Sequence, residues 1–168
     1  MTKIGDDVLR LERQVCLRLA VAAREVVSLY RPLLEPLGLT HPQYLVMVAL
    51  WEADGPLTLK ELVRLLTLEA PTLSPLIKRL EAAGLVERQR DPRDERLVRV
   101  SLTPRGDELR ARASEVPMAI VTRLGMTIPE VRDLRDALSE VIDRAAAYEA
   151  GAGRTVSTGP AKAGPPER

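Results

Sequence analysis

Phenylalanine is absent, and one tryptophan with three tyrosines brings the aromatics to only 2% of the chain. A core must therefore be built from Leu, Val and Ala, side chains suited to packing helix on helix. A single cysteine excludes an intrachain disulfide, and one Cys with one His cannot complete a Cys/His zinc site. No metal and no cofactor are expected. No uninterrupted apolar run is long enough to span a bilayer, and Asp6 and Asp7 stand where a targeting segment would be basic. The sequence therefore reads as cytoplasmic, with no membrane partner. There is also no excess of one charge: 25 Lys and Arg face 24 Asp and Glu, net +1, so any affinity for phosphate must come from local clustering. Paired His and Cys, a nucleophile elbow, a phosphate-cradling glycine loop and a metal-ligand cluster are all missing, which argues against an enzyme.

What is present is 168 residues, 45% hydrophobic and 29% charged, enough for one soluble globular domain. Residues 1–7 are expected to be a disordered N-terminus, residues 8–150 the domain, and residues 151–168, rich in Gly, Pro, Ser and Thr, a disordered tail. The apolar positions Val8, Leu11, Val15, Leu19, Val26 and Leu29 predict a long helix from Val8 to Leu34, with a stripe broad enough to meet a second subunit. Thr40 with Gln43 and Thr58 with Glu61 are capping boxes that open two further helices. Next come Leu73, Leu76, Ile77 and Leu80 at helical spacing. Pro75 is tolerated only in a first turn, which predicts a start near Thr72.

Between Leu85 and Leu102 the period changes to two, with turn chemistry at Asp91-Pro92-Arg93-Asp94. This predicts a β-hairpin, the only strand signal. Thr103-Pro104 then starts a helix running to Leu124, kinked at Pro117, and Thr127 with Glu130 caps the last helix.

The predicted fold is mainly α with a small β-hairpin, the layout of a winged helix-turn-helix. The helix carrying Leu73 and Ile77 would turn Thr72, Ser74, Pro75, Lys78 and Arg79 outward, where small hydroxyls and cations meet base edges and phosphates. Arg88, Arg90, Arg93 and Arg96 crowd the hairpin, with Arg99 and Arg105 beyond. Asp94 is placed to brace the Arg96 guanidinium toward a minor groove. Each feature also fits a plainer reading, a solvated amphipathic helix and a salt-bridged hairpin, and a helical protein-interaction module without DNA binding is the alternative function.

The run TLSPLIKRLEAAGLVERQRDPRDERLVRVSLTPRG resembles the helix-turn-helix and wing of the multiple antibiotic resistance regulator (MarR) family, including Asp94-Glu95-Arg96 and Leu102-Thr103. The resemblance spans about Leu11 to Ala147. It implies a homodimer formed by the first and last helices, a palindromic double-stranded operator, and action as a repressor of transcription.

Within the family, YRPLLEPLGLTHPQYLVMVALWE together with Cys16 is similar to the organic hydroperoxide resistance regulators. That likeness implies an oxidative-stress sensor in which the Cys16 thiol is hydrogen-bonded by tyrosines, one of them matching Tyr30, and is oxidised to a sulfenic acid. Two positions depart from the pattern: Ala20 and His41 stand where those sensors carry tyrosines. Cys16 and Tyr30 are also separated by roughly 21 Å of helix, so only a second subunit could bring them together. His41, Tyr44, Met47 and Trp51 form the expected lining of a pocket for a small apolar effector, core packing being the other reading of these side chains.

Overall fold

The computed structural model describes residue 11 and residues 14–92, 94 and 96–155. The expected disordered N-terminus, the tail beyond residue 155, Arg93 and Glu95 lie outside the described residues. Two compact units divide between Leu124 and Gly125.

In the first unit, α1 (Val15–Leu34) leads through a 3-10 turn (Glu35–Leu37) to α2 (His41–Glu52), β1 (Leu57–Thr58), α3 (Leu59–Leu66) and α4 (Ala70–Ala82). The hairpin β2 (Val86–Arg90) and β3 (Val98–Leu102) follows, then α5 (Pro104–Ala113) and α6 (Val116–Leu124). The second unit holds α7 (Ile128–Thr155). The fold is mainly helical with a small antiparallel sheet of order β1-β3-β2. No helix among the described residues is long and apolar enough to cross a membrane.

The core is mostly aliphatic, with Tyr44 and Trp51 as its aromatic members. Leu34, Val46, Met47, Leu62, Leu73, Ile77, Leu80 and Val100 are 0–1% exposed, so α2, α3 and α4 close on one another beneath β3. Both predicted capping boxes form. Thr40 donates its N–H (2.9 Å) and its hydroxyl (3.0 Å) to Gln43 Oε1, and Thr58 donates its N–H and hydroxyl, each at 2.7 Å, to Glu61 Oε2. These donors hold the Glu61 carboxyl below its ordinary range. The α3 cap is therefore whole above the ordinary carboxylate pKa and fades only as pH falls through the lowered value.

The sequence reading needs correcting in five places. First, α1 starts at Val15, because Gln14 is extended (ψ 112°). Residues 8–10, 12 and 13 of the expected helix lie outside the described residues. Second, α4 starts at Ala70, not near Thr72. Glu69 caps it, its carbonyl accepting the N–H groups of Thr72 (3.0 Å) and Leu73 (3.1 Å), and Pro71 takes the first-turn position that suits proline. Pro75 thus falls in the second turn and leaves the Pro71 carbonyl without its helical donor.

Third, β1 exists although only a hairpin was expected: Leu57 pairs with Val100 and Thr58 with Arg99. A two-residue strand that doubles as the lead-in to a capping box shows no alternation. Fourth, the predicted kinked helix is two helices, α5 and α6. Pro117 has no N–H to give the Ala113 carbonyl, and its ring crowds that carbonyl, so the first helix stops at Ala113. Fifth, α7 runs to Thr155, past Gly151, because a glycine costs a helix interior only about 1 kcal/mol relative to alanine.

Candidate nucleic-acid interface

Along α4, Leu73, Ile77 and Leu80 are buried, and the helical period turns Thr72, Ser74, Pro75, Lys78 and Arg79 to the exposed face. All five positions expected to meet a groove are therefore open. None of Lys78, Arg79, Arg90 and Arg96 has an ion pair among the described residues.

The wing is a five-pair ladder from Val86↔Leu102 to Arg90↔Val98. The ladder continues one step with the Asp91 N–H donating to the Leu97 carbonyl at 2.9 Å. Asp94 then shapes the tip: its carbonyl accepts the Leu97 N–H (2.9 Å) and its carboxylate the backbone N–H of Arg96 (3.0 Å). This changes the expected role of Asp94, which holds the Arg96 main chain and leaves the guanidinium free to aim outward.

The arginines of this region do not form one class. Arg88 gives its Nε to Glu81 Oε2 (2.8 Å) and its Nη2 to the same oxygen (2.7 Å), tying β2 to the last turn of α4. That guanidinium holds the Glu81 carboxyl below its usual range. Arg99 pairs through Nε with the Asp91 carboxylate, whose side chain is 5% exposed. Glu81, Asp91 and Arg99 were not singled out as site residues from the sequence. A pairing seven residues apart, across the corner from helix to strand, follows neither the helical nor the strand period, so the sequence carries little trace of it.

Thr103 and Gly106 join the wing to the rest of the lobe. Thr103 Oγ1 donates to the Gly84 carbonyl (2.7 Å) and accepts the Gly106 N–H (3.0 Å), and the buried Trp51 Nε1 donates to the Gly106 carbonyl (3.0 Å).

The expected sensing and effector residues are spread over several places. Cys16 is exposed near the start of α1, whereas Tyr30 is half-buried near its end. With α1 continuous between them, one chain does not bring them together. Tyr30 meets His41 edge-on at 4.7 Å between ring centroids, Tyr44 follows at 6.0 Å, and Trp51 lies 6.5 Å from Tyr44. Burial raises the pKa of Tyr30 and lowers that of His41, and burial with the nearby Tyr30 raises that of Tyr44.

The four expected pocket residues separate. His41 opens on a cleft of about 660 Å³ that also meets Arg24, Val27, Ser28, Arg31 and Leu39. Tyr44 and Trp51 edge a smaller cleft of about 210 Å³ beside Arg110 and Pro117. Tyr44, Met47 and Trp51 all belong to the buried core, and Met47 borders neither cleft. A heptad-like mix of apolar side chains could not reveal this split, because it depends on which neighbour covers each face.

Comparison with known proteins agrees with this geometry. Residues 39–98, spanning α2 to the wing tip, match the MarR family. The organic hydroperoxide resistance transcriptional regulator of Bacillus subtilis (strain 168) is 37% identical over 82% of this chain and 92% of its own length. The HTH-type transcriptional regulator TtmR of Methylorubrum extorquens (strain PA1) is 42% identical over 85% of this chain and 73% of its own. Among solved structures, reduced AbfR bound to DNA, a Staphylococcus epidermidis protein, superposes with a TM-score of 0.69 at 30% identity, covering 84% of this chain and 98% of that one.

Proposed function

The chain belongs to the MarR family of DNA-binding transcriptional regulators, not enzymes, and from that premise we propose that it is a homodimeric repressor which grips a palindromic operator and lets go when Cys16 is oxidised by an organic hydroperoxide. The observation that carries the DNA reading is the pairing of an open α4 face, with Thr72, Ser74, Pro75, Lys78 and Arg79, to a wing whose Arg90 and Arg96 are exposed and make no ion pair among the described residues. Arg88 and Asp94 act one step back from DNA, Arg88 as a strut to α4 and Asp94 as the former of the tip.

Two apolar stripes support the dimer. On α7, Leu134, Leu138, Val141 and Ile142 are 38–63% exposed at helical spacing, and on α1 Val15, Leu19 and Val27 are 37–69% exposed. Faces of that size are characteristic of a subunit interface, and a C2 pair would also space two α4 helices for two half-sites.

For the trigger, the exposure of Cys16 and the likeness to a regulator named for organic hydroperoxide resistance favour an oxidant. The Cys16 thiolate attacks one peroxide oxygen, the O–O bond breaks, and the products are a sulfenic acid on Cys16 and the corresponding alcohol. With no second cysteine in the chain, the sulfenic acid condenses with a small external thiol, losing water and leaving a mixed disulfide. The cleft at His41, walled by Val27 and Leu39, supports a small apolar ligand as a second trigger.

A gel shift on the DNA upstream of the protein's own gene tests the reading. Binding that falls steeply with salt and is released by cumene hydroperoxide is the expected result. Cys16→Ser should bind equally well and ignore the peroxide. Release of the Ser variant by peroxide would make the thiol structural, and salt-independent or absent binding would favour a protein-docking module.

A further inference from the structure

Among the described residues of the wing one charged group, Asp91, is buried, and it has no place in the reading above. Asp91 closes the β2–β3 ladder at the mouth of the tip, with its side chain only 5% exposed. A carboxylate removed from water must be balanced by a cation and by donors, and Arg99 of β3 supplies its Nε to Asp91 Oδ2.

Arg99 also faces a second element. In the sheet it lies opposite Thr58 of β1, the residue that caps α3, and its charge contributes to lowering the Glu61 carboxyl of that cap. The guanidinium thus sits between the wing tip on one side and the first turn of the helix-turn-helix on the other. Arg88 makes a separate strut, from β2 to Glu81 near the end of α4.

We infer that Arg99 and Asp91 are a positioning pair that sets the angle at which the wing tip leaves the sheet relative to α3 and α4, and so sets sequence preference under the wing without touching DNA. The inference rests on the wing entering a minor groove, as proposed above. A tip held at one angle places Arg96 reproducibly, and a narrow A·T-rich groove rewards that placement through its focused negative potential. A tip free to swing would still attract phosphates, since Arg90 and Arg96 keep their charge, but would no longer discriminate between groove widths.

The test uses the full chain and two duplexes that carry the upstream half-sites, flanked by A·T pairs in one and by G·C pairs in the other. The double variant Asp91→Asn/Arg99→Leu removes both charges, so that the buried carboxylate is not left without the Arg99 guanidinium. It should lose its preference for the A·T duplex by about tenfold while keeping the wild-type dependence of affinity on salt. Should the double variant fail to fold, Arg99→Gln, which keeps an N–H donor toward Asp91, should show a smaller loss of preference at the same salt slope.

A slope shallower by about one unit per wing would make Arg99 a phosphate contact and overturn the proposal. Unchanged preference in either folded variant would overturn it too. Arg96→Ala, measured on the same duplexes, separates the two levels: if it also leaves the preference intact, the minor-groove reading fails, and the role of the pair falls with it.

Discussion

Gly106→Ala should destabilise the protein by about 3 kcal/mol or more, the combined scale of a steric overlap in a packed core and of buried hydrogen bonds pulled out of line. A Cβ built at Gly106 lies 2.0 Å from the Leu85 carbonyl oxygen and 3.0 Å from its carbon. Both are backbone atoms, so no rotamer change can relieve the contact. The Leu85 carbonyl is already engaged, accepting the Thr103 N–H at 3.1 Å. To admit the methyl group, α5 must lift away from the end of α4, which strains the Trp51 bond to the Gly106 carbonyl and the Thr103 bond to the Gly84 carbonyl. Thermal unfolding followed by circular dichroism should show the midpoint fall by on the order of 10 °C. Trp51→Phe, which removes the indole donor while the Gly106 carbonyl keeps its place in the α5 hydrogen-bond ladder, should cost less, about 1 kcal/mol. An unchanged midpoint for Gly106→Ala would mean that the close approach of α5 to Leu85 is wrong.

Gly106 also marks the limit of what the sequence could tell. The helices were readable because their apolar positions recur at helical spacing and because Thr40-Gln43, Thr58-Glu61 and Thr127-Glu130 are local signals, each contained within four residues. The wing was readable for the same reason, its alternation at Val98, Val100 and Leu102 being short-range. The rest depends on contacts between residues distant along the chain. Trp51 meets Gly106 across 55 residues, Arg112 donates to the Pro36 carbonyl across 76, and Arg123 to the Leu29 carbonyl across 94.

The basic patch shows the same boundary on the functional side. Composition brings the arginines into one stretch of chain, but only the fold divides Arg88 and Arg99, which are occupied with Glu81 and Asp91, from Arg90 and Arg96, which make no ion pair among the described residues. Likewise, one helical stripe in the sequence holds Tyr44, Met47 and Trp51, and the packing buries all three in the core while letting only the two aromatics also border a cleft.

That division of the arginines fixes the second large effect. Arg96→Ala should weaken operator binding at low salt by about 1–3 kcal/mol for each wing, or roughly tenfold to a hundredfold per protomer, because a guanidinium aimed into a groove makes charge-assisted contacts that alanine cannot replace. The Arg96 backbone is fixed by the Asp94 carboxylate and the Leu97 N–H by the Asp94 carbonyl, so the tip geometry should survive the substitution and the loss should report the side chain itself. Arg88→Gln provides the internal contrast. Its guanidinium is already neutralised by Glu81, so its removal should leave the slope of log affinity against log salt nearly unchanged, whereas Arg96→Ala should lower the magnitude of that slope by about 0.9 for each phosphate no longer neutralised. Fluorescence anisotropy across a salt series measures both quantities at once. Equal slopes for wild type and Arg96→Ala, together with equal affinities, would show that the wing tip stays clear of DNA. A slope that drops with Arg88→Gln instead would mean that the strut to Glu81 opens on binding and that the phosphate contact belongs to β2.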